Sequence, residues 1–297
     1  MRERSASLAR EVPSWLTAGV VVGALGTMLW LENRRRLRVP REDKLRRDTR
    51  NLALGALTAV AIRLTEKPLT DPLAKKVHAR RWGLLPRLGL PPVLEVGLAA
   101  VLLDYTLYVW HVLTHRVPFL WRFHRVHHAD RDLSATTALR FHFVEMVLSV
   151  PWRAAQIALI GVAPRALSLW QTLTLGAILF HHSNVRLPLA VERRLSRVIV
   201  TPRMHGIHHS VIEYETNSNW GTILSLPDYL HDTIRLNVPQ ERIDIGVPAF
   251  RSADELRLGR LLRMPFEHQR PTWLLEGRGP EPERDEQVPD NRTRLAG

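Results

Sequence analysis

Long apolar segments constrain the fold of this chain more than any other feature of its sequence. The first, PSWLTAGVVVGALGTMLWL, has 19 residues without a charge between Pro13 and Leu31. A helix of this length spans a hydrocarbon layer of about 30 Å. A cleaved signal peptide is the alternative, but no small-x-small cleavage site follows, and the nine Lys or Arg residues at 32–50 are typical of a cytoplasmic loop. We therefore expect a transmembrane helix.

Two later apolar segments differ in length. Asn51–Ile62 is short, and it predicts either a tilted span or a partly inserted helix. Pro92–His115 is long enough to cross the membrane, although it carries Glu95 and Asp104. Ionisable groups at membrane depth are costly unless they face protein, water or a metal, so we expect these two carboxyl groups to have a functional environment.

A helical hairpin is predicted next. Two apolar segments, Phe143–Pro164 and Arg165–Asn184, adjoin at the turn-prone sequence GVAP, and we expect them to dip into or cross the membrane. Pro151 and Arg153 are expected to interrupt the first arm. Because two consecutive crossings return the chain to the side that it left, the segments before and after the hairpin lie on one face. Positive charge indicates that this face is cytoplasmic, and its arginines are Arg116, Arg122, Arg125, Arg131, Arg140, Arg193, Arg194, Arg197 and Arg203.

Histidines recur at a fixed spacing on both sides of this hairpin. The chain has 14 histidines, and the pattern His-x-x-His-His occurs in WRFHRVHHAD and again in PRMHGIHHSV. On a helix, positions i, i+3 and i+4 share one face, so each triplet is expected to point together. A further facing pair lies one turn apart at the end of the third apolar segment. These eight residues are His111, His115, His124, His127, His128, His205, His208 and His209.

This constellation predicts a site for two metal ions. The chain has no cysteine, so thiolate ligands are excluded and nitrogen or oxygen must hold any metal. Neutral imidazole suits iron, zinc, copper or nickel, and one ion accepts four to six ligands. Eight donors therefore indicate two ions. A single His-x-x-x-His pair arises easily by chance on an exposed helix, but a surface role gives no reason for a triplet to recur.

Four other side chains are candidates for the same centre. His181 and His182 close the last apolar segment, and one of them is expected to be a ninth ligand. His142 is expected to be either a ligand or a donor beyond the ligands. Asp104 lies on roughly the same helix face as His111, where it would orient an imidazole or pair with a buried Arg. Structural or surface roles are expected for His231, His78 and His268.

The motifs resemble those of a known superfamily from Asp104 to Thr233. DYTLYVWHVLTH, LWRFHRVHHAD, TALRFHFVE, FHHSNVRLP, VTPRMHGIHHS and NSNWGTILSLPDYLHDT follow the order and spacing of the fatty acid hydroxylase and sterol desaturase superfamily, whose members are integral membrane non-haem di-iron enzymes. The resemblance implies that the eight histidines above are iron ligands, and that His182 is the ninth. It also implies oxygen activation at two irons, with dioxygen as co-substrate and electrons from a separate donor protein.

The chain departs from the superfamily pattern at positions that are not ligands. Val112 stands where Arg is frequent, Phe143 where Pro is frequent, and Pro227, His231 and Asp232 replace Trp, Phe and Gly in the ending PDYLHDT. These departures leave the ligand set intact. They bear on the identity of the substrate, because that ending is expected to shape the cap of the site.

We expect an all-α fold, an integral membrane helical bundle with a cytoplasmic histidine-rich cap that holds two metals. The expected segments are 1–91 with the first helix, the basic loop and the second apolar segment, 92–238 with the histidine motifs and the hairpin, and 239–297, cytoplasmic and disordered after about 276. The expected function is hydroxylation or desaturation of a lipid C–H bond, for example in a sterol or fatty acyl chain. The alternatives are a zinc-dependent membrane hydrolase and a non-enzymatic metal-binding membrane protein.

Nucleic acid is not an expected partner. The formal charge of +13 comes from basic residues that flank apolar spans, and they form no stripe interleaved with exposed aromatic residues. The expected partners are a lipid substrate, the membrane and an electron-donor protein.

Overall fold

The computed structural model describes residues 7–273, and the regular secondary structure of that part of the chain is helical. Pairing between extended segments is limited there to isolated bridges, such as Ile199 with Leu224. The α-helices are α1 (Ser14–Arg34), α2 (Lys44–Ala61), α3 (Lys67–Arg80), α4 (Leu85–Leu88), α5 (Pro92–Arg116), α6 (Pro118–His128), α7 (Phe143–Ile160), α8 (Pro164–His182), α9 (Leu189–Leu195), α10 (Pro202–His208), α11 (Glu213–Thr216), α12 (Leu226–Leu230) and α13 (Leu258–Arg263). The expected all-α class is confirmed.

Among the described helices, α1, α5 and α7 are long and apolar enough to cross a membrane. Helix α1 leaves large apolar side chains such as Val22 exposed on the protein surface, and a lipid environment would cover them. The first apolar run, the third run and the first arm of the hairpin are thus confirmed as membrane-helix candidates. Helix α8, the second arm, is not among the three.

The short apolar segment Asn51–Ile62 belongs to a longer helical rod. Helix α2 begins at Lys44, where the side chain of Asp43 accepts a hydrogen bond from the amide of Arg46 at 2.9 Å. It continues through one π-helical turn, Ile62–Glu66, into α3. The rod packs against α7, so this segment is one wall of the bundle.

Helices α7 and α8 form the predicted hairpin. The chain reverses at Gly161, which has a φ of +83° that favours glycine. Gly83 packs against this turn so closely that a Cβ on Gly83 would collide with the backbone of Gly161. The expected interruption of the first arm is wrong, because α7 continues through Pro151. A proline removes one backbone hydrogen bond, and Arg153 is accommodated by an ion pair with Glu66 at 3.8 Å.

The bundle core lies between α3, α5, α7 and α8, where Val77, Leu103, Ile157 and Leu167 are buried. Helix α1 packs along α8 from the outside. A second apolar cluster joins α6 to the segment around α13, and it includes Val126. That segment therefore covers the end of the bundle where the histidines lie. The division of the chain at residues 91 and 238 stays a prediction, and the disorder expected after about 276 lies outside the described residues.

Candidate metal centre

The nine histidines expected to be ligands lie in two adjacent groups at one end of the bundle. In each group, one ring nitrogen from every member lies within 4.8 Å of the corresponding nitrogens of the others. The five-histidine group consists of His111, His115, His124, His128 and His208. The four-histidine group consists of His127, His182, His205 and His209.

Each His-x-x-His-His triplet is divided between the two groups. His124 and His128 belong to the five-histidine group, whereas His127 belongs to the other. The second triplet reverses this pattern, because only its middle member, His208, joins the five-histidine group. The expectation that each triplet points together is therefore wrong in detail. Each residue of an α-helix is rotated by about 100° around the helix axis relative to the one before it. Side chains at i and i+4 therefore point in directions about 40° apart, whereas those at i+3 and i+4 point about 100° apart.

The two groups share a boundary made of stacked rings. The imidazoles of His128 and His209 lie 4.2 Å apart between centroids, with an angle of 14° between their planes. One of these residues comes from each triplet and from each group. The arrangement therefore places two clusters of nitrogen donors side by side.

Fixed acceptors orient three rings of the five-histidine group. The Nδ1 of His111 lies 2.9 Å from the carbonyl oxygen of Trp220, and the Nδ1 of His208 lies 2.8 Å from that of Ser218. The Nδ1 of His124 lies 2.8 Å from Oε1 of Glu145. A carbonyl can only accept, so Nδ1 donates its proton and the lone pair of Nε2 is left for another partner. Outer acceptors of this kind commonly fix the rings of metal-binding histidines.

The four-histidine group has fewer fixed acceptors. His182 donates from Nδ1 to the carbonyl of Ile178 at 2.8 Å. Its Nε2 lies 3.0 Å from Nε2 of His127 and 2.9 Å from Nε2 of His205. The Nε2 atoms of His205 and His209 are 3.1 Å apart. Four nitrogens thus converge on one small volume.

Buried nitrogens without partners provide a test of whether these residues fit metal ions. Within residues 7–273, Nε2 of His124, Nε2 of His208 and both nitrogens of His128 are buried without a hydrogen-bond partner. Buried polar atoms are normally paired, so such a concentration calls for a ligand. Metal–imidazole bonds of about 2.1 Å place two ligands of one ion up to about 4.2 Å apart. The upper limit of 4.8 Å within each group exceeds this value only slightly, and the Nε2 separations of 2.9, 3.0 and 3.1 Å in the four-histidine group lie below it.

Electrostatics favours the neutral form of these imidazoles. Burial, followed by repulsion from neighbouring histidines, lowers the pKa of His127, His128, His205, His208 and His209 well below the usual value. A neutral imidazole keeps the lone pair that a metal requires. The residues therefore fit two metal ions in both chemistry and spacing.

Two carboxylates hold the loop that supplies the carbonyl acceptors. Asp104 accepts hydrogen bonds from the amides of Ile223 and Leu224, at 3.1 and 3.0 Å. Asp228 accepts from the amides of Trp220 and Gly221, both at 2.9 Å. The expectation for Asp104 is therefore wrong, because its oxygens bind backbone amides instead of an imidazole or an Arg. It acts on His111 indirectly, through the loop that carries the carbonyl of Trp220.

Glu145 is the site residue that sequence reasoning missed. It lies in the first turn of α7, in contact with His124, and its Oε2 is buried without a hydrogen-bond partner in the described chain. Its position three residues after the histidine of RFHFVE was an available signal. His142 caps α7, since its Nδ1 accepts from the amide of Val144 at 3.2 Å and its Nε2 lies 3.2 Å from the carbonyl of Leu262.

His181 lies beside the four-histidine group, but in the described structure it is not among the histidines whose ring nitrogens all lie within 4.8 Å of one another. Its Nδ1 is 3.1 Å from the carbonyl of Thr222, and its ring centroid is 4.1 Å from that of His205. His231 lies farther out, with its Nε2 3.0 Å from the hydroxyl of Tyr105. The candidates His142 and His181, and His231, for which a structural role was expected, therefore have protein partners outside both groups.

Gly206 explains how the second triplet is held. It lies between two histidines on α10, and a Cβ at this position would overlap the guanidinium of Arg38. That guanidinium donates from Nη2 to the carbonyl of Pro202 at 2.8 Å and to Oε1 of Gln240 at 2.6 Å. The basic loop after α1 is thereby locked against α10, which contributes one histidine to each group.

A cavity of about 770 Å³ extends from the histidines into the bundle. At one end it is lined by His111, His124 and His127, and at the other by residues near the start of α1 and α8, including Pro13 and Pro164. Because α8 runs between these ends, the cavity follows a helix of about 27 Å. Its size and largely apolar lining are typical of a small-molecule site.

Comparisons with known proteins agree with this geometry. The fatty acid hydroxylase family model matches residues 96–233, the region that contains all nine histidines. Ornithine lipid hydroxylase OlsE of Rhizobium tropici is 32% identical over 162 residues, which cover 53% of this chain and 46% of that protein. A cholesterol 25-hydroxylase-like protein of Danio rerio is 33% identical over 152 residues, covering 48% and 58% respectively.

Alkylglycerol monooxygenase of Xenopus tropicalis is 26% identical over 130 residues, covering 44% of this chain and 28% of that protein. The chain thus spans about half the length, or less, of these curated relatives. No solved structure matches the chain. The resemblance to the fatty acid hydroxylase superfamily stated from the sequence is therefore confirmed for the matched region.

Proposed function

We propose that the protein is a membrane di-iron oxygenase that hydroxylates or desaturates a C–H bond of a lipid. The observation that carries the proposal is the position of the two histidine groups at the inner end of a long, largely apolar cavity. The relatives above are named as hydroxylases and monooxygenases, and the names of several include a lipid or sterol substrate. Each of the three candidate membrane helices contributes residues to the lining of this cavity.

In this proposal the nine histidines of the two groups hold two iron ions. Bound iron would supply the capacity to reduce dioxygen with electrons from a separate donor protein, and so to oxidise an unactivated C–H bond. The side chains of this protein supply geometry. Carbonyls fix His111 and His208, while Glu145 accepts the Nδ1 proton of His124, so each Nε2 is aimed before an ion binds.

The cavity contributes exclusion of water and orientation of the lipid. Its apolar walls would desolvate the hydrocarbon part of a lipid, and they extend to the end of the cavity where His111, His124 and His127 lie. Met146 and Leu175 belong to those walls. A lipid that fills the cavity keeps water away from the reactive centre, and the centre is thereby protected from unproductive oxidation.

We also propose that the histidine face is cytoplasmic, as the arginines on both sides of the hairpin indicate. The basic loop around Arg38 packs on α10 and therefore lies on the same face as the metal centre. A soluble electron donor would then reach the site from the cytoplasm. Labelling of an engineered single cysteine in that loop, in intact cells and in inverted vesicles, tests the assignment.

Metal analysis of detergent-purified protein tests the class of enzyme. Near two irons per chain supports the proposal, one zinc per chain favours the hydrolase, and no metal in a folded protein contradicts both. Mass spectrometry of lipid extracts from cells with and without the protein tests the reaction. A gain of one oxygen indicates hydroxylation, and a loss of two hydrogens indicates desaturation.

A further inference from the structure

Polar side chains lie inside the apolar cavity, well away from the histidines. Arg153 on α7, with Trp170 and Thr174 on α8, line its middle part. Trp170 is only 2% exposed. Polar groups of this kind are costly inside an apolar cavity unless they serve structure or bind a ligand.

The protein satisfies only part of this polar cluster. Arg153 donates from Nη1 to Oε1 of Gln156 at 2.7 Å, and its guanidinium lies 4.5 Å from the centre of the Trp170 ring. Its Nε is 3.8 Å from the carboxylate of Glu66, beyond hydrogen-bond distance. Within residues 7–273, Nε of Arg153, Nε1 of Trp170 and Oγ1 of Thr174 are buried without hydrogen-bond partners.

The chemistry of these three atoms indicates the kind of group that they would bind. Arg Nε and Trp Nε1 can only donate, and a threonine hydroxyl can donate as well. An oxygen that accepts hydrogen bonds and carries no proton therefore suits them best. Glu66 balances much of the charge of Arg153, so a neutral carbonyl oxygen is favoured over a full anion.

The distance from this cluster to the metal centre is set by two helices. Arg153 lies eight residues after Glu145 on α7, and Thr174 lies eight residues before His182 on α8. Each interval corresponds to about 12 Å along a helix axis. Because α7 and α8 are antiparallel and both have their histidine-side ends at the centre, the two residues lie at the same depth.

We propose that Arg153, Trp170 and Thr174 form a binding station for the carbonyl oxygen of an acyl lipid. The station holds the acyl group about 12 to 18 Å from the metal centre, because Trp170 lies one turn beyond Thr174 on α8, and the hydrocarbon beyond it extends toward the histidines. Oxidation would then fall on a carbon remote from the carbonyl instead of an adjacent one. Binding at the station does not require metal, whereas the position of oxidation rests on the proposed function.

Binding to metal-free, detergent-purified protein tests the station directly. The probes are methyl palmitate, palmitic acid and hexadecane, which share a long chain and differ in the carbonyl group. The Trp170→Phe, Thr174→Val double variant removes two hydrogen-bond donors and leaves the Arg153–Glu66 pair intact. We expect it to bind the ester or the acid about 10-fold more weakly, and hexadecane within about 2-fold of wild type.

The control is Trp152→Phe, the same change on α7 at a residue outside the cavity lining, and it should bind all three probes like wild type. Equal weakening for the ester, the acid and hexadecane would overturn the station, as would unchanged binding of all three. Of the two oxygen-bearing probes, the one more strongly affected identifies the source of the carbonyl. Arg153→Lys, which keeps the charge, should also weaken binding of that probe and spare hexadecane.

The iron-loaded protein separates the station from the proposed function. Wild type should oxidise the acyl probe at a single remote carbon, whereas the double variant should distribute the product over several carbons. Carbonyl-dependent binding without oxidation of any lipid would retain the station and contradict the oxygenase. Oxidation of the acyl probe at an unchanged position in both proteins would retain the oxygenase and contradict the station.

Discussion

The two histidine groups consist of the same type of side chain but are held in different ways. In the five-histidine group, His111, His124 and His208 are anchored through Nδ1 to acceptors outside the group. In the four-histidine group, only His182 is anchored in this way within the described structure. Within the described structure, the Nδ1 atoms of His127, His205 and His209 have no hydrogen-bond partner, and the Nε2 atoms of this group lie against one another.

This difference separates two sources of preorganisation. Anchored rings keep their orientation whether or not an ion is bound, because the acceptors belong to helices and to a clamped loop. Rings held mainly by packing depend on the ion to bring their mutually repelling lone pairs together. We therefore expect the five-histidine group to keep its shape without metal and the four-histidine group to need metal for order.

The largest expected effect comes from removing one histidine from each group. His127→Ala leaves three histidines in its group, and His208→Ala leaves four in the other. Both should reduce lipid oxidation by at least about 100-fold, and His127→Ala should lose more iron. Elemental analysis and turnover of the purified variants measure the two quantities. His78→Ala is the control, and retained turnover in both ligand variants would show that the ligand assignment is wrong.

Glu145→Ala tests the anchoring of the five-histidine group. Loss of the acceptor frees the Nδ1 proton of His124, and we expect iron affinity of that group to fall about 10- to 100-fold. Competition with a chelator should show that one iron per chain is bound more weakly than in wild type and that the other is bound with unchanged affinity. Glu145→Gln keeps an acceptor oxygen and should restore part of the affinity. Equal weakening of both irons would contradict the distinction between the groups.

Gly206→Ala should affect both groups together, because α10 contributes one histidine to each of them. The new methyl group would displace the guanidinium of Arg38, at a cost of about 1 to 3 kcal/mol in unfolding free energy. Thermal unfolding in detergent measures the loss. The matched control is Gly23→Ala on α1, where a Cβ meets no atom of the described structure within 4 Å. It should be neutral or slightly stabilising.

The smallest expected effect is that of His142→Ala. Loss of this cap should destabilise the start of α7 by about 1 kcal/mol and leave the iron content at two per chain. Because α7 carries Glu145, a slightly lower iron affinity of the five-histidine group is the only expected effect on metal binding. His142→Asn should restore the cap. A loss of one iron in His142→Ala would instead make this residue a ligand.

Much of the site was predictable because it depends on local spacing. The two triplets, His111 with His115, and the histidine before Ser183 identify all nine members of the groups, although ligation itself stays a prediction. The division of each triplet between the two groups was not predicted, because side chains at positions i+3 and i+4 were taken to lie on the same helix face. The contact of Glu145 and the clamp of Asp104 were missed because they join separate helices and loops: His124 lies 21 positions from Glu145, and Ile223 lies 119 positions from Asp104. The clamp of Asp228 reaches only seven or eight positions back, but it depends on the conformation of the loop.

The sequence by itself determined the helical, membrane-spanning character of the protein and the chemistry of its donors. Both follow from properties that need no partner: the length of apolar runs, the absence of cysteine and the repeated spacing of imidazoles. Only the tertiary structure decided which histidines share a group, which acceptors fix them and where the cavity meets them. Those relations depend on the packing of helices distant in sequence, and local periodicity does not determine that packing.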